Sequence, residues 1–213
     1  MSFANYTAFT ASLSSWMDIG VSDIGASLYA DLVTVAEKRI FREARTRDME
    51  ESFSTVIAAG TIGVPSGYLE LKSAYIDSTP IQPLERRKAE WIYAEYPNRS
   101  SEGVPHYIAR DGTTFIFGPY PDSAYTVKGV RYTQPTAISG ASLSSFFTNN
   151  PDLYLFACLA ESEILLGRDE RIAVWEAKYQ KILAQVNGLD DREDQSGSNL
   201  QMRVVGANGY RMR

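Results

Sequence analysis

The chain reads as an α+β protein: a helical bundle made from both ends of the sequence, a β-rich insertion between them, and an extended C-terminal arm. Three patterns point there. Apolar residues step by three and four over residues 6–46 and again over 151–186, the period of an amphipathic helix. Between 51 and 140 the apolar runs are short, rich in β-branched and aromatic residues, and punctuated by glycine and proline. Eight of the nine prolines fall between 65 and 135, where strands joined by tight loops accommodate them. After Gly188 a polar tract leads into Leu200, Met202 and Val204, which alternate with polar residues as in a half-buried strand. The expected parts are therefore 1–50 and 141–188 for the bundle, 51–140 for the insertion and 189–213 for linker and arm.

Residues 6–17 form the first expected helix, with Phe9, Leu13, Trp16 and Met17 on one side. Gly20 breaks it, and Ser22 or Asp23 can cap a second helix over about 23–46, carrying Ile24, Leu28, Leu32, Val35, Ala36 and Ile40. Strands are expected at 53–59, 68–75, 106–110, 113–117 and 125–133, with a helical piece at 83–93. Asp111-Gly112 suits a two-residue type I′ hairpin turn. Asn150, Pro151 and Asp152 supply a cap, a first-position proline and a charge that complements the helix dipole. The helix that follows carries Leu153, Phe156, Ala157, Ala160, Ile164 and Leu165 and ends at Gly167. A partner helix then starts near Asp169 with Ile172, Trp175, Tyr179, Ile182, Leu183 and Val186 in phase. The short loop between the two makes an antiparallel pair.

Within the second helix, Val35–Glu50 is the densest charged stretch: nine of its sixteen residues are charged around a narrow stripe of Val35, Ala36, Ile40, Phe41 and Ala44. Lys38, Arg42 and Arg45 are spaced to share one helix face, where like charges repel. Glu43 can pair with Arg47. The cationic row expects solvent or carboxylates from elsewhere, so Lys38, Arg42, Arg45 and Arg47 are the candidate inter-subunit residues.

Composition narrows the function. Hydrophobic residues make up 44% and charged residues 22% of the 213, and the net charge is −5, so the whole chain is no simple nucleic-acid cation. The one cysteine, Cys158, excludes an intrachain disulfide and sits in an apolar helical pattern. No apolar run reaches the ~18 residues of a membrane span, and Met1–Thr7 lacks the basic and apolar regions of a signal peptide, so a soluble protein made in the cytosol is expected.

Catalysis has little to work with. His106 is the only histidine, between Pro105 and Tyr107, and there is no G-x-S-x-G elbow. The glycine-rich 60–67 stretch lacks the Lys-Ser/Thr ending of a phosphate loop. No Cys/His set exists for zinc, and Glu161 and Glu163 are spaced onto different helix faces. No cofactor, metal or catalytic residue is expected. Arg86-Arg87-Lys88 is basic and Tyr93, Tyr96, Tyr107 and Tyr120 could stack on bases, but glutamates interleave and strand packing explains the tyrosines.

Taken in order, these motifs resemble the head-to-tail adaptor (connector) proteins of short-tailed bacteriophages. The resemblance runs through Ala36, Glu37, Arg39, Ile40, Arg42, Glu43, Arg45, Arg47, Met49 and Glu50, then Pro65 and Tyr68 to Lys72, then Phe115 to Pro121 and Val130 to Thr133. It continues in Asn149, Pro151 to Glu161, and Asp169, Glu170, Arg171, Trp175, Glu176 and Tyr179. It implies a non-enzymatic virion part at the head–tail junction. Such proteins form a ring, commonly twelve-fold, beneath the portal; the ring extends the DNA channel, retains the genome and seats a tail or nozzle protein. Double-stranded DNA passes without sequence-specific binding, and no membrane is involved. The resemblance also implies a C-terminal arm on the portal, for which Leu200, Met202, Val204, Val205, Tyr210, Arg211 and Arg213 are candidates. The rivals are another virion ring component, such as a head-completion or tail-terminator protein, and a nucleic-acid-binding accessory protein.

Overall fold

The computed structural model describes residues 3–20, 25–58, 60–97, 101–163, 167 and 170–196, with the backbone alone at Ala26 and 189–196. The protein mixes helices and sheets, an α+β architecture. Helix α1 spans Tyr6–Met17; Asn5 Oδ1 accepts from the Ala8 amide at 2.8 Å, satisfying a donor of the first turn. Phe9, Leu13 and Met17 are buried, while Trp16 stays 38% exposed and stands edge-on to Phe156.

Helix α2 covers Ala26–Glu43, ending three residues before its expected limit. Its buried line is Tyr29, Leu32, Val33, Ala36, Glu37, Ile40 and Phe41. Leu28 and Val35, expected in that line, are 40% and 42% exposed. Both sets step by three and four, so periodicity alone leaves the phase open; packing against the later helices selects the one with Tyr29 and Val33. The chain then passes through a 3₁₀ turn, Arg47–Met49, whose Met49 is buried, directly into β1.

The first sheet orders β1 (Glu50–Ile57), β10 (Tyr125–Thr133), β3 (Tyr68–Ile76) and β4 (Gln82–Pro83), all neighbours antiparallel. β1 and β10 stay in register from Glu50↔Tyr132 to Ile57↔Tyr125. The second sheet orders β2 (Thr61–Gly63), β8 (Thr114–Gly118), β7 (Tyr107–Asp111) and β5 (Glu85–Arg86). A small parallel pair joins β6 (Glu102–Gly103) to β9 (Tyr120–Pro121). The β7–β8 hairpin pairs Asp111 with Thr114, so its loop is Gly112-Thr113, one residue later than expected. Only Gly112 takes positive φ (56°) there, which is not the type I′ pattern. The helical piece expected at 83–93 is helical only at Ala89–Glu95 (α3). Upstream, the amides of Leu84, Glu85 and Arg87 donate to Ala74, His106 and Ile108, so inter-strand bonds hold that stretch extended.

The closing helices are α4 (Ser145–Asn149), α5 (Pro151–Glu161) and α6 (Arg171–Ser196). The cap was expected from Asn150, which instead donates to the Phe146 carbonyl; Ser144 caps the unexpected α4. Pro151 does occupy the first turn of α5. Residues 189–196, expected as a polar linker, continue the helix of α6. Phe9, Leu13, Ile40, Leu153, Tyr154, Trp175 and Tyr179 belong to one apolar core made by α1, α2, α4, α5 and α6, with Leu69 and Tyr132 packed on it from the first sheet. A second core, including Ile57, Leu71, Ile108, Phe115, Phe117 and Val127, lies between the sheets. Burying the continuous apolar run of β8 takes both faces: Phe115 and Phe117 join this core, and Ile116 packs with Ile92 of α3.

Candidate assembly surfaces

The charged stretch at the end of α2 is resolved by the fold into two unlike groups. Arg39, outside the expected row, is the hub. Its Nη1 donates to Glu161 Oε1 at 2.9 Å and its Nη2 to Glu176 Oε1 at 2.6 Å; Nε lies 3.4 Å from Glu43 Oε1. Its guanidinium also stands 4.5 Å from the centre of the Tyr179 ring, whose hydroxyl donates to Glu43 at 2.7 Å. One planar fork thus ties α2, α5 and α6 together, a geometry lysine cannot reproduce. Burial alone lowers the Arg39 pKa, but the bonds to Glu176 and Glu161 outweigh it and leave it above its ordinary value. The same bond from Arg39 lowers the Glu176 carboxyl. Glu43 thereby faces Arg39 and Tyr179. The sequence held a signal for this hub: Arg39 and Glu43 stand four apart, and Glu161 and Glu176 lie in the two helices that must pack on α2.

The expected cationic row is only half a helix face. Lys38 and Arg42 are exposed neighbours on α2, with Arg42 Nε donating to the Lys38 carbonyl at 3.0 Å. Arg45 lies beyond the helix end: Ala44 turns extended, and the Arg45 guanidinium folds back to donate to the carbonyls of Phe41 (3.0 Å) and Ala44 (2.6 Å). It therefore caps α2, where the helix leaves carbonyls unpaired, and sits 3.5 Å from Glu70. Arg47 is exposed on the 3₁₀ turn.

A third surface is a cleft of about 290 Å³ between the sheets, whose lining includes Tyr68, Leu71, Arg86, Arg87, Arg110 and Phe115. Its cations have local partners. Arg86 donates to Glu70 and to the Leu71 carbonyl, Arg87 pairs with Glu85 at 2.7 Å and stands over Trp91, and Arg110 stands over Tyr68. The tyrosines considered for base stacking are engaged too. Tyr107 packs on Trp91 and Tyr96, Tyr93 donates to Asp111, and Tyr120 lies against Gly60.

His106 is exposed, with its main chain bonded to Gly118 and Glu85. Cys158 is fully buried, and burial pushes its thiol up, away from the reactive thiolate. Among the described residues no group of three His, Cys, Asp or Glu side chains is placed to hold a metal, and no helix is long and apolar enough to cross a membrane. The arm candidates Leu200, Met202, Val204, Val205, Tyr210, Arg211 and Arg213 lie outside the described residues.

No curated protein matches the chain. A family model does, the SU10 adaptor protein, and its match extends from residue 4 to residue 203. Covering nearly all of the α+β body, that match shows that the chain belongs to the SU10 adaptor protein family, a family of phage head–tail adaptors.

Proposed function

We propose that the protein is a head-to-tail adaptor that assembles as a ring, commonly twelve copies in such proteins, beneath the phage portal. The ring extends the DNA channel, retains the packaged genome and seats a tail or nozzle protein below. The observation that carries this reading is the family match over residues 4–203, which takes in every described helix and strand. In this reading residues 1–50 and 141–188 form the helical body, 51–140 the β-rich insertion and 189–213 the linker and arm, the linker being in part the continued helix of α6.

Lys38, Arg42, Arg45 and Arg47 contribute to the contact between copies, with Lys38 and Arg42 the outward pair and Arg45 acting through the end of α2. A ring needs two different complementary surfaces on each subunit, and alternating charge sets their register more than their affinity. The arm, through Leu200, Met202, Val204, Val205, Tyr210, Arg211 and Arg213, reaches the portal. Each arm makes a small contact, and the ring multiplies them into a stable seat.

The test is light scattering after size exclusion, with the full chain and a chain ending at residue 198, each alone and mixed with assembled portal of the same phage. Stoichiometric binding by the full chain, lost in the shortened one, is the expected result. Portal binding undiminished by the deletion removes the arm's role and favours a tail-terminator or head-completion protein. No portal binding by either chain removes the adaptor reading.

A further inference from the structure

The first sheet ends on an unusually regular edge. Among the described residues β1 is the terminal strand of its sheet; it pairs with β10 over all eight residues without a register shift and contains neither proline nor glycine. Long, flat edges invite another strand and are normally broken by bulges, prolines or cover. Along β1, Phe53 and Thr55 are half-buried and Ile57 buried toward the sheet interior, whereas Ser52, Ser54 and Val56 face solvent, Val56 at 59% exposure. Beside the edge lies a small notch whose walls include Phe53, Thr55, Ile62, Tyr68 and Phe115. A strand added outside β1 would lay every second side chain over this notch.

Beyond the described residues the chain carries a segment of alternating pattern, tethered to the helix that passes the end of α2. α6 crosses the end of α2 at Asn187, whose side chain accepts from the Arg45 amide at 3.1 Å and donates to the Glu43 carbonyl at 3.3 Å. Glu50, the start of β1, is only a few residues further along the chain. From Asn187 the helix continues to Ser196, roughly 13 Å at 1.5 Å per residue. Leu200 follows within about 14 Å of extended chain. Leu200, Met202 and Val204 alternate with Gln201, Arg203 and Val205. Residues 200–213 carry Arg203, Arg211 and Arg213 and no acid; β1 opens with Glu50 and Glu51, which pair within the chain to Lys72 at 2.7 Å and to Arg131 at 3.0 Å, Glu51 keeping 53% exposure. Gly206 and Gly209 then separate this segment from Tyr210–Arg213, and the family match stops at 203.

We propose that residues 200–205 of one copy add as a fifth strand to the β1 edge of a second copy, with Leu200, Met202 and Val204 covering the notch. The proposal rests on the ring reading and divides the arm: its first half clasps the neighbour, and its end, Tyr210 to Arg213, remains for the portal. Each copy has one edge and one arm, so passing the arm to the next copy fills every edge in a closed ring. Main-chain bonds along β1 supply affinity and the notch supplies specificity.

The test uses two full-length populations, one carrying Ser54→Cys and the other Gln201→Cys, mixed alone and on portal rings and treated with a short bis-maleimide. Cys158, fully buried, stays silent. Cross-links between different copies are expected, falling at least ten-fold when the second population also carries Met202→Asp and Val204→Asp. An unchanged yield with those aspartates overturns the proposal, as does cross-linking confined to a single chain bearing both cysteines. Light scattering on the same samples separates the two readings. Stoichiometric portal binding without cross-links between copies overturns the clasp and leaves the adaptor standing; cross-linked copies that ignore the portal support the clasp and remove the adaptor reading.

Discussion

Two glutamates in the helical body respond to acid in opposite directions. Glu37 is 3% exposed, and its Oε1 accepts from the Ile138 amide at 2.9 Å, pinning the segment between β10 and α4 onto α2. Burial raises its pKa above the ordinary 4.5, so between the unfolded and folded values the native state holds the extra proton. Stability from this group is complete below about pH 4 and declines as pH rises through the folded pKa. Glu176 is the reverse: its bond to Arg39 lowers its pKa, so its contribution is present above the unfolded value and is lost as pH falls through the folded one. Urea unfolding of Glu37→Gln and Glu176→Gln between pH 3 and 8 checks both. The Glu37 variant should gain on the parent as pH rises, and the Glu176 variant should lose ground. Parallel profiles for the two variants would sink this account. Neither role was readable from residue type. Glu37 looked like part of a charged face until the phase of α2 turned it inward.

Among the elements, β10 carries the most constraint, because it lies between β1 and β3. Its Gly129 pairs with Phe53 on one side and Ala74 on the other. A methyl group there would collide with the Ser73 carbonyl oxygen and come within 2.9 Å of Ala74 Cα and of the Phe53 ring. Backbone atoms of a central strand cannot retreat as a long side chain can. Gly129→Ala should therefore cost about 2 kcal/mol and lower the melting temperature by several degrees. An unchanged melting curve would show that the sheet yields at this point. The strand itself was legible, since Tyr125–Thr133 is rich in β-branched and aromatic residues; that its glycine marks a close approach needed the neighbours. The same division holds elsewhere. α1, β3, β7, β8 and β10 match their expected spans closely because each carries its own period or turn residues. The stretch 83–88 was misread because its helix-forming residues are held extended by amides bonded to β3 and to the β7 side of the second sheet. α6 outran its apolar pattern, since a polar sequence can continue a helix that a packed first half has already nucleated.

At the level of the whole protein, charge pairing sets what is expected of it toward DNA. The net charge is −5, and the described cations Arg39, Arg45, Lys72, Arg86, Arg87, Lys128 and Arg131 each have a carboxylate partner within the chain. Phosphate attraction needs clustered, unneutralised cations. The free protein should give no gel shift with double-stranded DNA at micromolar concentration even at about 50 mM salt; a steeply salt-dependent shift would favour the nucleic-acid-binding rival. Elements with a local signature could be read directly from residue order: helical period, short strands rich in β-branched and aromatic residues, first-turn proline, and the ordered motifs that resemble the adaptor family. The phase of α2, the full set of partners at the Arg39 hub and the place of β1 at the end of its sheet could not. Each depends on which distant segment arrives as a neighbour, and a side chain's partners across more than a hundred residues are set by packing rather than by its local sequence.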